Sequence, residues 1–452
     1  NAPLLSVFKF HQLINNLYLT QLFIPICLET LLYMLSGMVD TLMLSSVNDQ
    51  AVGAVGTANT YIGIVIIMFS VISSGMVAVM TQNIGAGRPG VAYQARQLGL
   101  TFNAVLGIIV SLILTFGAGA ILAGVGVADA LMQPARTYLQ IVGGFCILNA
   151  LIPICSSYLR AFGFSKEPLY ASIIGNVINF CLNAFFLFVL HKGVAGVATA
   201  TVISRIINLV IVVLLGAVLV KAKQHPERES NRAVMGQIIR IGLPSACETA
   251  IYNVSMTLVI RFLNQMDAQG LNVTARSYTM QITNFSYCVG AALAQANAIM
   301  TGWHIGAKEY DACDRGTKKA AVIGVIVAVI LETVFTLCSG WIMQLFSKDP
   351  QMVSLVGKLL AIDIVLEIGR VTNLVYGQAL KTSGDAVFPV VMGVCFMMLC
   401  SVGGTYLFGI RLGLLAVGAY IGMAGDECVR AIGMYLRWKS GKWKEKGLIK
   451  SR

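Results

Sequence analysis

Charge is scarce in this sequence. Asp, Glu, Lys and Arg make up 12% of its 452 residues against 57% hydrophobic ones, and the mean hydropathy is +0.78. A soluble domain carries roughly twice that share of charge, so a water-exposed globule is excluded. Histidine is rarer still. His11, His191, His225 and His304 all fall at span ends or in loops, and no HExxH, GxSxG or phosphate-cradling loop in a strand-helix setting accompanies them. A membrane-embedded enzyme therefore has no motif to rest on, and with no sizeable stretch outside the apolar runs a receptor is equally unsupported. The eleven cysteines include no CxxC pair and no Cys/His cluster at ligand spacing, so they read as small core residues and no metal centre or cofactor is expected. The period-2 alternation of barrel strands is missing too. No cleavable signal peptide is visible: NAPLLSVFKFHQLINN reads as an amphipathic lead-in to the first span.

Long apolar runs separated by short polar breaks are what remain, and about 20 such residues cross a bilayer as a helix. The expected spans are 17–44, 51–80, 98–124, 137–157, 168–190, 195–220, 237–262, 273–300, 319–345, 353–378, 386–409 and 413–437. The predicted fold class is an all-α membrane protein of twelve helices. The formal charge of +12 reads as topology, not as affinity for nucleic acid. With both termini in the cytoplasm, 22 of the 32 Lys and Arg lie on that side, 7 lie outside and 3 (Arg205, Arg370, Arg430) lie within spans.

The chain also repeats itself. Pro25, Glu29, Thr30, Tyr33 and Ser36 form a PxxxETxxYxxS frame that recurs as Pro244, Glu248, Thr249, Tyr252 and Ser255, at an offset of 219. Ile84-Gly85-Ala86 recurs as Ile305-Gly306-Ala307, and LRAFGFSKEP (159–168) as LKTSGDAVFP (380–389), both at an offset of 221. Collinear matches at nearly one offset mean duplication. Six spans per copy is an even number, so the copies enter the membrane in the same sense and a pseudo-twofold axis along the membrane normal is expected. The expected division is an amino-terminal lobe 1–220, a charged linker 221–236, a carboxy-terminal lobe 237–437 and a basic tail 438–452, with the site between the lobes.

A charge near the bilayer centre costs about 2.5–3.5 kcal/mol on insertion scales, so buried carboxylates mark function by default. Glu29 and Asp40 stand eleven residues apart, almost three helical turns, on one face of span 1. Asn176, Asn179 and Asn183 form a stripe on span 5; spacing fits both interhelical packing and amide oxygens coordinating a cation beside Asp40. Span 8 offers a polar face of Gln281, Asn284, Gln295 and Asn297. Asp363, Glu367 and Arg370 on span 10, and Asp426, Glu427 and Arg430 on span 12, allow an internal ion pair that accounts for each Arg and leaves Asp363 as the spare charge.

In order and spacing, MVDT (38–41), TQNIGAG (81–87), LRAFGFSKEP, INFCLN (178–183), LPSACET (243–249) and LKTSGD (380–385) resemble the multidrug and toxic compound extrusion (MATE) family over nearly the whole chain. The resemblance implies two lobes in a V and export of organic, often cationic, compounds in exchange for H⁺ or Na⁺. It places Asp40 at the coupling carboxylate of the amino-terminal lobe and Asn179 at its span 5 partner. Many relatives carry a second Asp where this sequence has Asn183. Glu248 matches a Glu that binds cations in one branch of the family, but the span 10 Asp of that branch is here Arg370, which can pair with Glu367 or Glu248. The expected coupling set is Asp40, Asn179 and Asn183, able to hold Na⁺. Glu29, Tyr33, Glu248, Asp363, Glu367 and Arg370 are secondary candidates for cation or substrate contact. Asp40 falls opposite Val259 in the repeat and has no carboxylate twin. The expected function is secondary antiport by a monomer in the cell membrane, with small organic substrates and the lipid bilayer as partners. A lipid-linked oligosaccharide flippase, which needs a basic cavity, is the alternative.

Overall fold

The computed structural model describes residues 19–45, 49–124, 127, 129–221, 225–266, 270–344 and 347–449. The amphipathic lead-in at 1–16 and the end of the basic tail lie outside them. All regular structure among the described residues is helical, because a backbone in hydrocarbon must satisfy its own hydrogen bonds.

The chain divides at Leu243/Pro244 into two compact units. The first holds α1 (Leu19–Ser45), α2 (Asp49–Gly85), α3 (Pro89–Gly124), α4 (Asp129–Gly144), α5 (Ile147–Ala161), α6 (Lys166–Ala184) and α7 (Gly193–Leu219). α8 (Asn231–Met266) begins in the first unit and runs into the second, which continues with α9 (Leu271–Gly306), α10 (Tyr310–Leu337), the short α11 (Ser339–Met343), α12 (Pro350–Thr382), α13 (Val387–Phe396) and α14 (Leu415–Lys439). Seven of the helical segments are long and apolar enough to cross a membrane, and α4 with α5 makes an eighth. α8, α9, α12 and α14 are as long but carry more polar residues. Each unit thus has six membrane-length segments.

Span 4, expected as one helix over 137–157, is instead bent by 43° between α4 and α5 at Phe145–Cys146. Three segments loosen into π-helix where regular helices were expected: Phe185–Val189 closes α6, and Met397–Val402 and Thr405–Arg411 extend α13. The π-turns at 185–189 and 405–411 sit one repeat apart. Backbone twins occur in the connections as well: Gly163 and Gly384 are left-handed at φ 87° and 97°, and Gly87 and Lys308 at φ 72° and 61°. Duplication has therefore kept turn geometry even where it replaced the glycine.

In the first unit α6 packs on α1 and α7, while α2, α3, α4 and α5 enclose a core of Phe69, Val110, Leu114, Tyr138, Leu139 and Val142. In the second, α12 is central, packed on α9, α10 and α14 around Leu359, Leu360, Leu366, Tyr420 and Met423. Asp349 caps α12 by accepting from Gln351 N at 2.9 Å with Pro350 at the first helical position, so the sequence Asp-Pro sets that start.

The segment expected as a linker is pinned to the first unit. Gln94 on α3 donates to Glu229 O (2.7 Å) and Asn231 Oδ1 (2.6 Å), and Arg88 pairs with Glu229 at 2.6 Å. Just beyond it, α8 crosses α2 backbone to backbone. A Cβ at Gly242 would lie 1.6 Å from Val71 O, and one at Gly75 would lie 1.9 Å from Ile238 O. Gly242→Ala is expected to force the helices apart and cost about 2 kcal/mol or more, seen as a lower unfolding temperature in detergent. Lys308→Gly removes about 1–2 kcal/mol of left-handed strain and adds back part of it as unfolded-chain entropy, so a net gain of about 0.5–1 kcal/mol is expected in the same measurement.

Candidate functional site

α1 carries both carboxylates of the first span, and the structure gives them different surroundings. Glu29 meets Arg160 of the LRAFG motif in an ion pair and accepts from Ser172 Oγ at 3.3 Å. Its repeat twin Glu248 meets Lys381 of the LKTSG motif at 2.6 Å. The two duplicated motifs thus exist for each other: the acidic residue of one and the basic residue of the other close the same bridge in both units. Glu248 does not partner Arg370. Tyr33 is 71% exposed and does not line the pocket at Asp40, whereas its twin Tyr252 lines a cavity in the second unit.

Asp40 faces α6. Asn183 Nδ2 donates to Asp40 Oδ1 at 2.7 Å and to Asn179 Oδ1 at 3.1 Å, so the three side chains form one chain of hydrogen bonds. Asn179 and Asn183 are buried, and Asn183 Oδ1 has no hydrogen-bond partner. This cluster borders a pocket of about 270 Å³ lined by Leu35, Ser36, Val39, Asn176 and Phe180. Asn176 reaches that wall without a hydrogen bond to Asp40. Arg205 of α7 lies close enough to act electrostatically on both Asp40 and Tyr138, and Tyr138 is hydrogen-bonded to Asn59. Neither Arg205 nor Tyr138 stood out as a neighbour of Asp40 in the sequence, since α1, α4 and α7 come near one another only in the fold.

In the second unit the α12 and α14 clusters interlock. Arg370 hydrogen-bonds Glu367 and lies 3.7 Å from Glu427. Arg430 holds Asp426 through two bonds of 2.9 and 3.0 Å and reaches Glu427 at 2.8 Å. Asn373 donates to Glu427, and Ser401 to Asp426, both at 3.0 Å. This network borders a cavity of about 250 Å³ whose lining includes Arg276, Asn284, Tyr287, Asp363 and Tyr420. Of the polar face expected on span 8, only Asn284 reaches it; Asn297 instead bonds Thr317 at 3.4 Å. Behind Asp363 stands Glu332 of α10, fully buried, which sequence reasoning passed over. The signal was present: a lone carboxylate within the apolar run VIVAVILETVF.

A profile of the MatE family matches residues 25–185 and 244–407. The chain is 34% identical over 430 residues to the Uncharacterized transporter YisQ of Bacillus subtilis, covering 94% of each. It is 22% identical over 443 residues to the Probable multidrug resistance protein NorM of Thermotoga maritima, covering 95% of this chain and 94% of that one. Among solved structures, a MATE transporter in the straight conformation matches with a TM-score of 0.84 at 19% identity, over 94% of this chain and 96% of the other. A MOP superfamily transporter from Pyrococcus furiosus matches with a TM-score of 0.81 at 18% identity, over 96% of both. Those two likenesses are of fold: twelve transmembrane helices in two six-helix lobes.

Membrane-length helices in two units, matched by the MatE family profile and by a transporter over 94% of the chain, define a multi-pass membrane transporter. The chain belongs to the MatE family.

The paired bridges allow a direct test. Glu248→Gln leaves Lys381 charged at a site only 14% exposed and is expected to cost about 3 kcal/mol, whereas Glu248→Gln with Lys381→Met regains most of it. Thermal unfolding of the detergent-solubilised protein reads both.

Proposed function

We propose that this protein is a secondary antiporter that exports organic cations in exchange for H⁺ or Na⁺, with Asp40, Asn179 and Asn183 as its coupling group. The observation that carries this reading is Asp40 itself: a carboxylate tied to two buried amides at the edge of an apolar pocket. Such a pocket suits a ligand with a hydrophobic body and a positive charge, because its one anionic group is held in a lining that is mostly apolar, with Ser36, Asn176 and Asn179 as its neutral polar groups. A proton or a sodium ion on Asp40 competes for the same negative charge. In the sodium version, Asp40 supplies the charge, and the amide oxygens of Asn179 and Asn183 supply neutral ligands. Ligand and ion then favour different states of the α1–α6 contact, which is what coupling requires.

The printed name of the Thermotoga relative, a probable multidrug resistance protein, agrees with this reading. The flippase alternative draws less support. Of the arginines within the helices, Arg370 is paired with Glu367 and Glu427 and Arg430 with Asp426 and Glu427, Arg205 acts electrostatically on Asp40, and Arg276 alone lines the second-unit cavity without an ion pair among the described residues. Little positive charge is left for a diphosphate. The excess of Lys and Arg in the loops that share a side with both termini supports a cytoplasmic location for those termini. We take the transporting unit to be the monomer.

Purified protein in liposomes is expected to move a fluorescent cationic dye when an H⁺ or a Na⁺ gradient is imposed, each tested alone. Asp40→Asn is expected to lower the gradient-driven rate at least tenfold. Transport indifferent to both gradients, or unchanged in Asp40→Asn, overturns the proposal.

A further inference from the structure

The second unit contains a group of side chains that the Asp40 reading does not use. Glu332 on α10, and Asp363 and Glu367 one turn apart on α12, are 0%, 2% and 0% exposed. One carboxylate oxygen from each lies within 4.8 Å of the others. Oδ2 of Asp363 and Oε2 of Glu367 are buried without a hydrogen-bond partner, and the buried carboxylate of Glu332 has only the Ser286 hydroxyl close by, outside good hydrogen-bond geometry. Glu367 is fixed through its other oxygen by Arg370, and Asp363 reaches the 250 Å³ cavity.

Electrostatics makes this arrangement incomplete. Glu332, Asp363, Glu367, Asp426 and Glu427 put five carboxylates in and beside this cavity, against the three guanidiniums of Arg276, Arg370 and Arg430. Arg276 contacts Met256 Sδ at 3.7 Å and forms no ion pair among the described residues, so it does not reduce the local demand at Glu332. Each uncompensated buried ion carries a desolvation penalty of several kcal/mol, and the orphaned oxygens show where compensation is missing.

We propose that Glu332, Asp363 and Glu367 bind a hard cation of the size of Na⁺ or Ca²⁺, at a site distinct from Asp40. All the donors are carboxylate oxygens, which suit such ions and not softer metals. An ion with ligands at about 2.4 Å spans oxygens up to about 4.8 Å apart, whereas Mg²⁺ needs about 2.0–2.1 Å and keeps its waters. The cavity adjoins the cluster at Asp363. Bound to the cluster, the ion ties α10 to α12, the central helix of the unit.

The test uses the full chain in detergent, titrated with NaCl or with CaCl₂ at ionic strength held by KCl, reading unfolding temperature and calorimetric heat. One of the two ions is expected to give a saturable rise in unfolding temperature, in wild type and in Asp40→Asn alike. Glu332→Gln and Asp363→Asn are expected to weaken the apparent affinity at least tenfold, and Glu332→Asp, which keeps the charge, less than either. The proposal is overturned if wild type responds to neither ion, as when protons alone neutralise the cluster. It is also overturned if Asp40→Asn abolishes the response, or if both neutralised variants respond as wild type does. Should Glu332→Gln or Asp363→Asn not fold, Asp40→Asn still decides, because loss of binding there assigns the ion to the first unit. Failure of dye transport leaves this result untouched, so the two proposals stand or fall separately.

Discussion

Matching of charge inside an apolar bundle is the constraint on which the rest of this structure depends. In water, a Glu–Lys pair is worth little, because each partner is well solvated alone. Inside the bundle the same pair holds two otherwise intolerable ions, and removing one strands the other. The bridges Glu29–Arg160 and Glu248–Lys381 each tie a helix that opens a repeat to the end of a helix several segments later. They fasten each unit across its own sequence.

Duplication reads differently once those bridges are seen. PxxxET and LRAFG or LKTSG recur because they are two ends of one contact, so selection on either half of the pair acts on both. The left-handed turns at 163 and 384 and the π-turns at 185–189 and 405–411 carry the same history in the backbone. The buried polar groups differ between the copies. The first unit places a lone Asp40 against two asparagines, whereas the second packs a network of carboxylates and arginines around α12. A cavity wall in one unit therefore predicts little about its counterpart.

Much of the architecture was legible in the residues. Apolar runs separated by polar breaks reported the membrane helices, and the 219–221 offset reported two units. Helical spacing placed Asn179 and Asn183 on one stripe, and the family resemblance, not the spacing, set that stripe beside Asp40. The bend at Phe145–Cys146 was missed although the Gly143-Gly144 pair just before it, a helix-weakening dipeptide, marks the place within span 4. Glu332 was missed because a single acidic residue in an apolar run has no spacing partner on its own helix.

By itself the sequence determined which segments enter the membrane, that they come in two related sets of six, and which ionisable residues enter with them. Those properties follow from local hydropathy and internal repetition, which need no knowledge of what packs where. Only the tertiary structure decided the partners: Arg160 for Glu29, Lys381 for Glu248, Arg205 beside Asp40, and Glu332 behind Asp363. Coulomb and desolvation energies depend on distances between helices far apart in the chain, and those distances exist only once the bundle has closed.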